Sequence, residues 1–186
     1  CFRCAENCPT GALEVCGKDM SVEEILSIVQ KDDAFYGTAG GMTLSGGEPF
    51  LHPHLPEFIR LARQKDFVPV LTTNGTLLAK GQEVIGAHPH KIQISLHSHE
   101  GNAKEHPEEY IRRVMTFAQE AASEGVLIVL RLWNQGGYDT ANDFIQELIA
   151  QYQPRPWTQR HDGWKLGENL YIEYDRMFEW PDTDHS

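Results

Sequence analysis

Apolar positions along this chain switch repeatedly between a helical and an extended period. Val22, Ile25, Leu26 and Val29 recur at helical spacing behind Ser21-Val-Glu-Glu24, a capping box, so the pattern predicts a helix over 21–31. Residues 32–41 read as a loop broken by Gly37, Gly40 and Gly41. Met42 to Ser45 reads as a short buried strand that stops at Gly46-Gly47-Glu48-Pro49. Leu55, Phe58, Ile59 and Ala62 mark a helix, and Phe67 to Leu71 a strand ending in Thr72-Thr73-Asn74-Gly75. A short helix is predicted within 76–85, then a strand over 91–96 that runs into His97-Ser98-His99. Pro107 opens a long helix carrying Tyr110, Ile111, Val114, Phe117, Ala118 and Ala121, stopped by Gly125. Val126 to Leu130 is continuously apolar, as in a strand covered on both faces, and leads into Arg131-Leu132-Trp133-Asn134. Thr140 can cap a helix bearing Phe144, Ile145, Leu148 and Ile149. The tail is less periodic, with a turn at Pro154, Pro156 and Trp157, a strand over 170–174, and Phe178-Glu179-Trp180-Pro181 at the close. Trp133, Trp157, Trp164 and Trp180 read as core residues.

Strand and helix alternate through about four βα units, which predicts an α/β fold with a partial parallel (β/α) barrel. Right-handed crossovers bring the carboxyl ends of such strands to one rim, where ligands bind. Every predicted strand ends in Ser, Thr, Asn, His, Glu or Arg, the side chains that a polar ligand needs. At the first of these ends Gly46 and Gly47 carry no Cβ and let the backbone turn tightly against a ligand. Glu48 places a carboxylate at the mouth of the strand, and Pro49 stiffens the exit.

Charge removes some function classes. Lys and Arg number 16 against 27 Asp and Glu, a net charge of -11, whereas sequence-independent nucleic-acid binding needs a basic surface. No apolar run approaches the roughly 20 residues of a membrane span. A cytoplasmic protein with small-molecule or protein partners is expected.

Cysteine placement adds chemistry. Three of the four cysteines lie in the first eight residues. Cys1, Cys4 and Cys8-Pro9 match the last three cysteines and the proline of the bacterial iron–sulfur run C-x2-C-x2-C-x3-C-P. Residues 1–20 therefore read as a truncated ferredoxin-like segment with Cys1, Cys4 and Cys8 as ligands, and 21–186 as the barrel with its C-terminal extension. The chain is expected to be a fragment, because it opens inside this motif. A zinc site completed by Cys16 and plain structural thiols are the alternatives. A hydrolytic metal site is a further alternative, since His52/His54, His88/His90 and His97/His99 repeat one spacing.

These residues resemble the radical S-adenosylmethionine (SAM) superfamily. Gly46-Gly47-Glu48-Pro49 looks like its second-strand motif, which binds the methionine amino group. Thr73, Asn74 and Gly75 look like the third-strand motif lining the SAM pocket. Ser95 and His97 occupy the fourth-strand position, whose polar groups approach the ribose or carboxylate, and Arg131 sits where fifth-strand polar residues face the cofactor. Up to about Leu51 the chain is similar to glycyl-radical-enzyme activating enzymes of the pyruvate formate-lyase type. From about Leu71, Ile94-Ser95-Leu96-His97-Ser98, Arg131-Leu132-Trp133-Asn134 and Phe178-Glu179-Trp180-Pro181 resemble another radical SAM group, so a chimera joined near Gly-Gly-Glu-Pro is one reading. The family's Cys-x3-Cys-x2-Cys loop is absent, since Cys4 and Cys8 are followed by Gly11. The resemblance implies a 4Fe–4S cluster and SAM as cofactors and a reductant such as flavodoxin or ferredoxin. It further implies a glycyl-radical enzyme or other protein as substrate. The reaction implied is reductive cleavage of SAM to a 5′-deoxyadenosyl radical that abstracts hydrogen. A non-catalytic iron–sulfur or electron-transfer fragment is the alternative outcome.

Overall fold

A computed structural model describes residues 6–7, 9–10, 18–32, 34, 41–45, 47–96, 107–133, 147, 150–158 and 163–175. The chain forms two compact units, Cys1–Phe35 and Tyr36–Ser186. The first contains helix α1 (Val22–Val29), followed by a turn of 3-10 helix, Gln30–Asp32. Its capping box forms as the sequence predicts: Glu24 N–H donates to Ser21 Oγ at 3.1 Å, and Ser21 N–H donates to Glu24 Oε2 at 2.7 Å.

The second unit is built on one seven-stranded sheet in the order β1-β2-β3-β4-β7-β6-β5. Strands β1 (Met42–Leu44), β2 (Pro69–Thr73), β3 (Lys91–Ser95), β4 (Leu127–Trp133) and β7 (Leu170–Asp175) run parallel to one another. Strands β5 (Arg155–Pro156) and β6 (Gly163–Gly167) continue the sheet antiparallel. Helices α2 (Leu55–Gln64), α3 (Gly81–Gly86) and α4 (Pro107–Ser123) make the crossovers between the first four strands. The sheet is open, so the architecture is the partial (β/α) barrel that the alternation predicts.

Strand periodicity divides this sheet into two unlike faces. Leu71, Ile92, Ile94, Ile128, Leu130, Leu170 and Ile172 pack with Leu55, Ile59, Val84, Ile85, Ile111 and Val114 from the helices. The residues between them (Thr72, Gln93, Val129 and Tyr171, in register across four strands) therefore point the other way. One face folds the protein and the other carries polar groups.

Several expectations shift. The second strand covers 69–73 instead of 67–71 and takes in both threonines; the fourth extends through Arg131 to Trp133. Within the turn predicted at Pro154, Pro156 and Trp157, Arg155 and Pro156 form the two-residue edge strand β5, and β6 has no counterpart in the sequence reading. Its short, glycine-bounded run Gly163-Trp-Lys-Leu-Gly167 lacks the β-branched residues that mark strands. Trp164 packs partly buried against the core, as expected, while Trp157 is half-buried against the Tyr171 ring at 4.7 Å. The helix expected after Thr140 lies largely outside the described residues, as does Trp180.

Candidate functional site

Polar side chains gather at the carboxyl ends of the parallel strands. Beyond β1, Glu48 caps a 3-10 turn, Pro49–Leu51, and accepts from Phe50 N–H at 3.1 Å through Oε1. Pro49 and Phe50 are buried, and the Phe50 ring meets Phe117 of α4 edge-on at 5.9 Å, which fixes the turn from below. Gly47 adopts φ +57°, a left-handed conformation that glycine takes without steric cost, and so lets the chain swing Glu48 toward β2.

The end of β2 meets that carboxylate. Thr73 Oγ1 donates to Glu48 Oε1 at 2.7 Å, and Asn74 N–H donates to Glu48 Oε2 at 3.0 Å. Among the described residues Glu48 thus holds three internal donors, two on Oε1 and one on Oε2. A carboxylate has about four lone-pair sites, so Oε2 keeps one for a ligand donor. Thr73 Oγ1 also accepts from Gly75 N–H at 3.1 Å. Asn74 Oδ1 accepts from Thr76 N–H at 2.9 Å and from Thr76 Oγ1 at 2.6 Å, which orients the amide and leaves its NH2 as the group to offer. The site therefore presents a fixed acceptor beside a fixed donor.

The rim continues along the sheet. Thr73 pairs in register with Ile94, so Asn74 comes beside Ser95, and Ser95 pairs with Arg131, which pairs with Glu173. Ser95 is buried, and Arg131 Nε lies 3.3 Å from Glu173 Oε1. The row Asn74, Ser95, Arg131, Glu173 spans four adjacent strands.

The residues predicted for the site thus fall into distinct places. Glu48, Thr73 and Asn74 form one hydrogen-bonded group, while Ser95 and Arg131 lie along the same rim. Thr73 alternates with Leu71 on the helix-covered side, and its hydroxyl is engaged within the protein; Pro49 is buried and structural. Gly46, His97 and the cluster cysteines Cys1, Cys4 and Cys8 lie outside the described residues, as does Cys16. No group of three His, Cys, Asp or Glu that could hold a metal occurs among the described residues. His52 and His54 sit at the entry to α2, with His54 Nδ1 3.2 Å from Glu57 Oε2. His88 and His90 instead lie between α3 and β3, where His90 N–H donates to Pro69 O.

Two polar residues, Gln93 and Glu173, have no role in the sequence reading, and Thr72, read there as part of the cluster beyond a strand, lies inside β2. Thr72 donates through Oγ1 to Gln93 Oε1 at 3.4 Å on the polar face, and Glu173 is the partner of Arg131. The signal for Gln93 and Glu173 is the alternation within Lys-Ile-Gln-Ile-Ser and Leu-Tyr-Ile-Glu-Tyr, where a polar or aromatic residue stands between apolar ones.

Fold and site define an α/β protein on a mixed, mainly parallel sheet, with polar side chains gathered along one strand-end rim. The sequence profile of the Radical SAM superfamily matches residues 3–145, and the chain belongs to that superfamily of enzymes. It is 27% identical over 164 residues to the pyruvate formate-lyase 2-activating enzyme of Escherichia coli, covering 87% of this chain and 56% of that protein. Over 74 residues it is 42% identical to the isethionate sulfite-lyase activating enzyme of Oleidesulfovibrio alaskensis, covering 39% of this chain and 24% of that protein. The alignments thus span 56% of the length of the first of these relatives and 24% of the second. Streptococcus suis SuiB, in a structure bound to S-adenosylmethionine, shares the fold with a TM-score of 0.51 at 10% identity, over 89% of this chain and 44% of that one.

Proposed function

We propose that this chain supplies most of the SAM pocket of a radical SAM enzyme that activates a glycyl-radical enzyme. Residues 21–186 form its barrel, and residues 1–20 form an iron–sulfur segment with Cys1, Cys4 and Cys8 as ligands. The observation that carries the reading is the Glu48–Asn74 pair: a carboxylate locked by three internal donors with one acceptor site to spare, beside an amide that can only donate. That donor set fits the amino-acid moiety and ribose of SAM, which offer an ammonium and hydroxyl oxygens. Gly46 and Gly47 allow close backbone approach, and Glu48 accepts a charge-assisted bond from the ammonium. Asn74 donates to an oxygen, and Ser95 and Arg131 continue the polar rim; His97, outside the described residues, is assigned with them to the ribose or carboxylate. SAM, held by these residues, would supply radical chemistry in the intact enzyme, with an iron–sulfur cluster and a flavodoxin or ferredoxin as the electron source. This chain's residues orient the ligand and hold its charged end, while the buried helix-facing side of the sheet keeps the site rigid. Two relatives are named as activating enzymes of a sulfite-lyase and a formate-lyase, which supports another enzyme as the protein acted upon; a glycyl-radical enzyme is the partner that the resemblance implies.

Titration calorimetry of SAM against the chain tests the reading. Glu48→Gln keeps the size of the side chain but removes its charge and converts one acceptor into a donor. It is expected to weaken SAM binding at least tenfold, since bonds to charged groups contribute about 1.5–3 kcal/mol. Unchanged affinity in Glu48→Gln refutes the assignment.

A further inference from the structure

We propose that Tyr110 and Arg113 of α4 are positioning residues for this pocket: they set the turn that aims Asn74, from outside the ligand site. The inference rests on the SAM-pocket reading above and names how the pocket is held in shape.

The turn Asn74-Gly75-Thr76 is held one peptide plane at a time. In the plane joining Asn74 to Gly75, Gly75 N–H donates to Thr73 Oγ1 at 3.1 Å, and the Asn74 carbonyl accepts from the Tyr110 hydroxyl. In the plane joining Gly75 to Thr76, Thr76 N–H donates to Asn74 Oδ1 at 2.9 Å, and the Gly75 carbonyl accepts from Arg113 Nη1 at 3.0 Å. Each plane is thus fixed at both ends, and α4 supplies both carbonyl partners. Gly75 sits at φ +69°, and glycine populates either sign of φ with similar ease, so residue 75 alone does not choose the orientation of its flanking planes. Tyr110 and Arg113 make that choice.

The consequence reaches the ligand rim through Asn74. Its N–H, in the preceding plane, donates to Glu48 Oε2, and its Oδ1 accepts from the Thr76 N–H of the plane that Arg113 holds; rotation of the Gly75–Thr76 plane therefore releases the side-chain amide, and rotation of the Asn74–Gly75 plane turns the chain about the residue that carries both bonds. Tyr110 is buried, and the guanidinium of Arg113 lies over its ring at 5.7 Å, so the two donors act as one packed unit. The strand-end loops carry the ligand groups, whereas these two residues belong to a 17-residue helix, the longest element described.

Tyr110→Phe removes the hydroxyl and keeps the ring; Arg113→Lys keeps the charge and loses the forked donor. Two readouts separate this proposal from the one beneath it. Amide hydrogen exchange needs no ligand: Tyr110→Phe is expected to speed exchange at Asn74, Gly75 and Thr76 about tenfold while β3 amides keep their protection. SAM calorimetry is expected to show about fivefold to tenfold weaker binding in Tyr110→Phe, the scale of one lost hydrogen bond. Combined with Asn74→Ser, the tyrosine change is expected to cost no further affinity, because it acts through Asn74. Unchanged turn exchange, or full additivity with Asn74→Ser, overturns the positioning role even where Glu48→Gln abolishes SAM binding. Faster turn exchange in a chain whose SAM affinity ignores Glu48→Gln overturns the pocket reading instead, and with it the ligand side of this proposal. Uniformly faster exchange across β3 and α4 in both variants marks a general structural role and also overturns it.

Discussion

Thr73 has one hydroxyl and uses it twice, donating to Glu48 and accepting from Gly75 N–H, in a position only 2% exposed. Valine has the same shape without the oxygen, so Thr73→Val strands a buried N–H and removes a donor from the carboxylate. The expected cost is about 2–3 kcal/mol, read as a lower urea midpoint at unchanged slope. Thr73→Ser keeps both bonds and loses one methyl, for about 1 kcal/mol. Equal midpoints for the two variants would show that packing, not the hydroxyl, sets the cost. Gly75 offers a second test. A Cβ there would lie 2.9 Å from Val114 Cγ2 and 3.1 Å from Ile94 Cγ2, at a φ that L residues resist. Gly75→Ala is expected to destabilise by roughly 2–4 kcal/mol, strain and overpacking together, in the same denaturation experiment.

A strand's length and ends set which residues can reach a ligand, and here the sequence was uneven as a guide. The helix spanning Tyr110 to Ala121 was legible because its buried residues recur at helical spacing over several turns. The strand positions were legible as apolar runs, but their ends were not: Thr72 and Thr73 read as loop residues because threonine pairs also suit turns, whereas pairing with β3 through Thr73↔Ile94 draws them into β2. Gly-Gly-Glu-Pro located the main site, yet no periodicity revealed that Thr73 and Asn74 would occupy three of the carboxylate's four acceptor positions together with Phe50. Glu173 was missed because its partner Arg131 is 42 residues earlier and only the parallel β4–β7 pairing unites them. That pair can be measured. The side chains are 27% and 9% exposed, so removing one partner leaves a partly desolvated charge. Glu173→Leu or Arg131→Leu alone is expected to cost about 1–3 kcal/mol, and the double variant less than their sum, in a denaturation cycle. Strict additivity would show that the ion pair is energetically silent.

The whole molecule joins an open parallel sheet to an antiparallel edge, β6 and β5, beyond β7. Superfamily membership covers residues 3–145, so most of the sheet belongs to the shared architecture. The higher identity is confined to short alignments, 42% over 74 residues, and falls to 27% over 164. Ligand binding is a property of the folded unit. SAM at 100 times its dissociation constant is expected to stabilise the chain by about 2.7 kcal/mol, seen as a raised melting midpoint that Glu48→Gln loses at the same concentration. A midpoint indifferent to SAM in the unaltered chain would count against the pocket.

The two-faced sheet also predicts how the chain tolerates change. Along β3, Ile92 and Ile94 are fully buried under the helices, while Lys91, Gln93 and Ser95 lie on the polar side. Substitutions that block folding and substitutions that alter ligand preference should therefore alternate residue by residue within one five-residue segment. A saturation library of that segment, sorted once for abundance and once for SAM binding, would show two interleaved combs of sensitivity offset by a single position. Relatives could then drift toward new ligands by editing one comb while the other stays fixed, so that binding preference and foldability evolve through different letters of the same word.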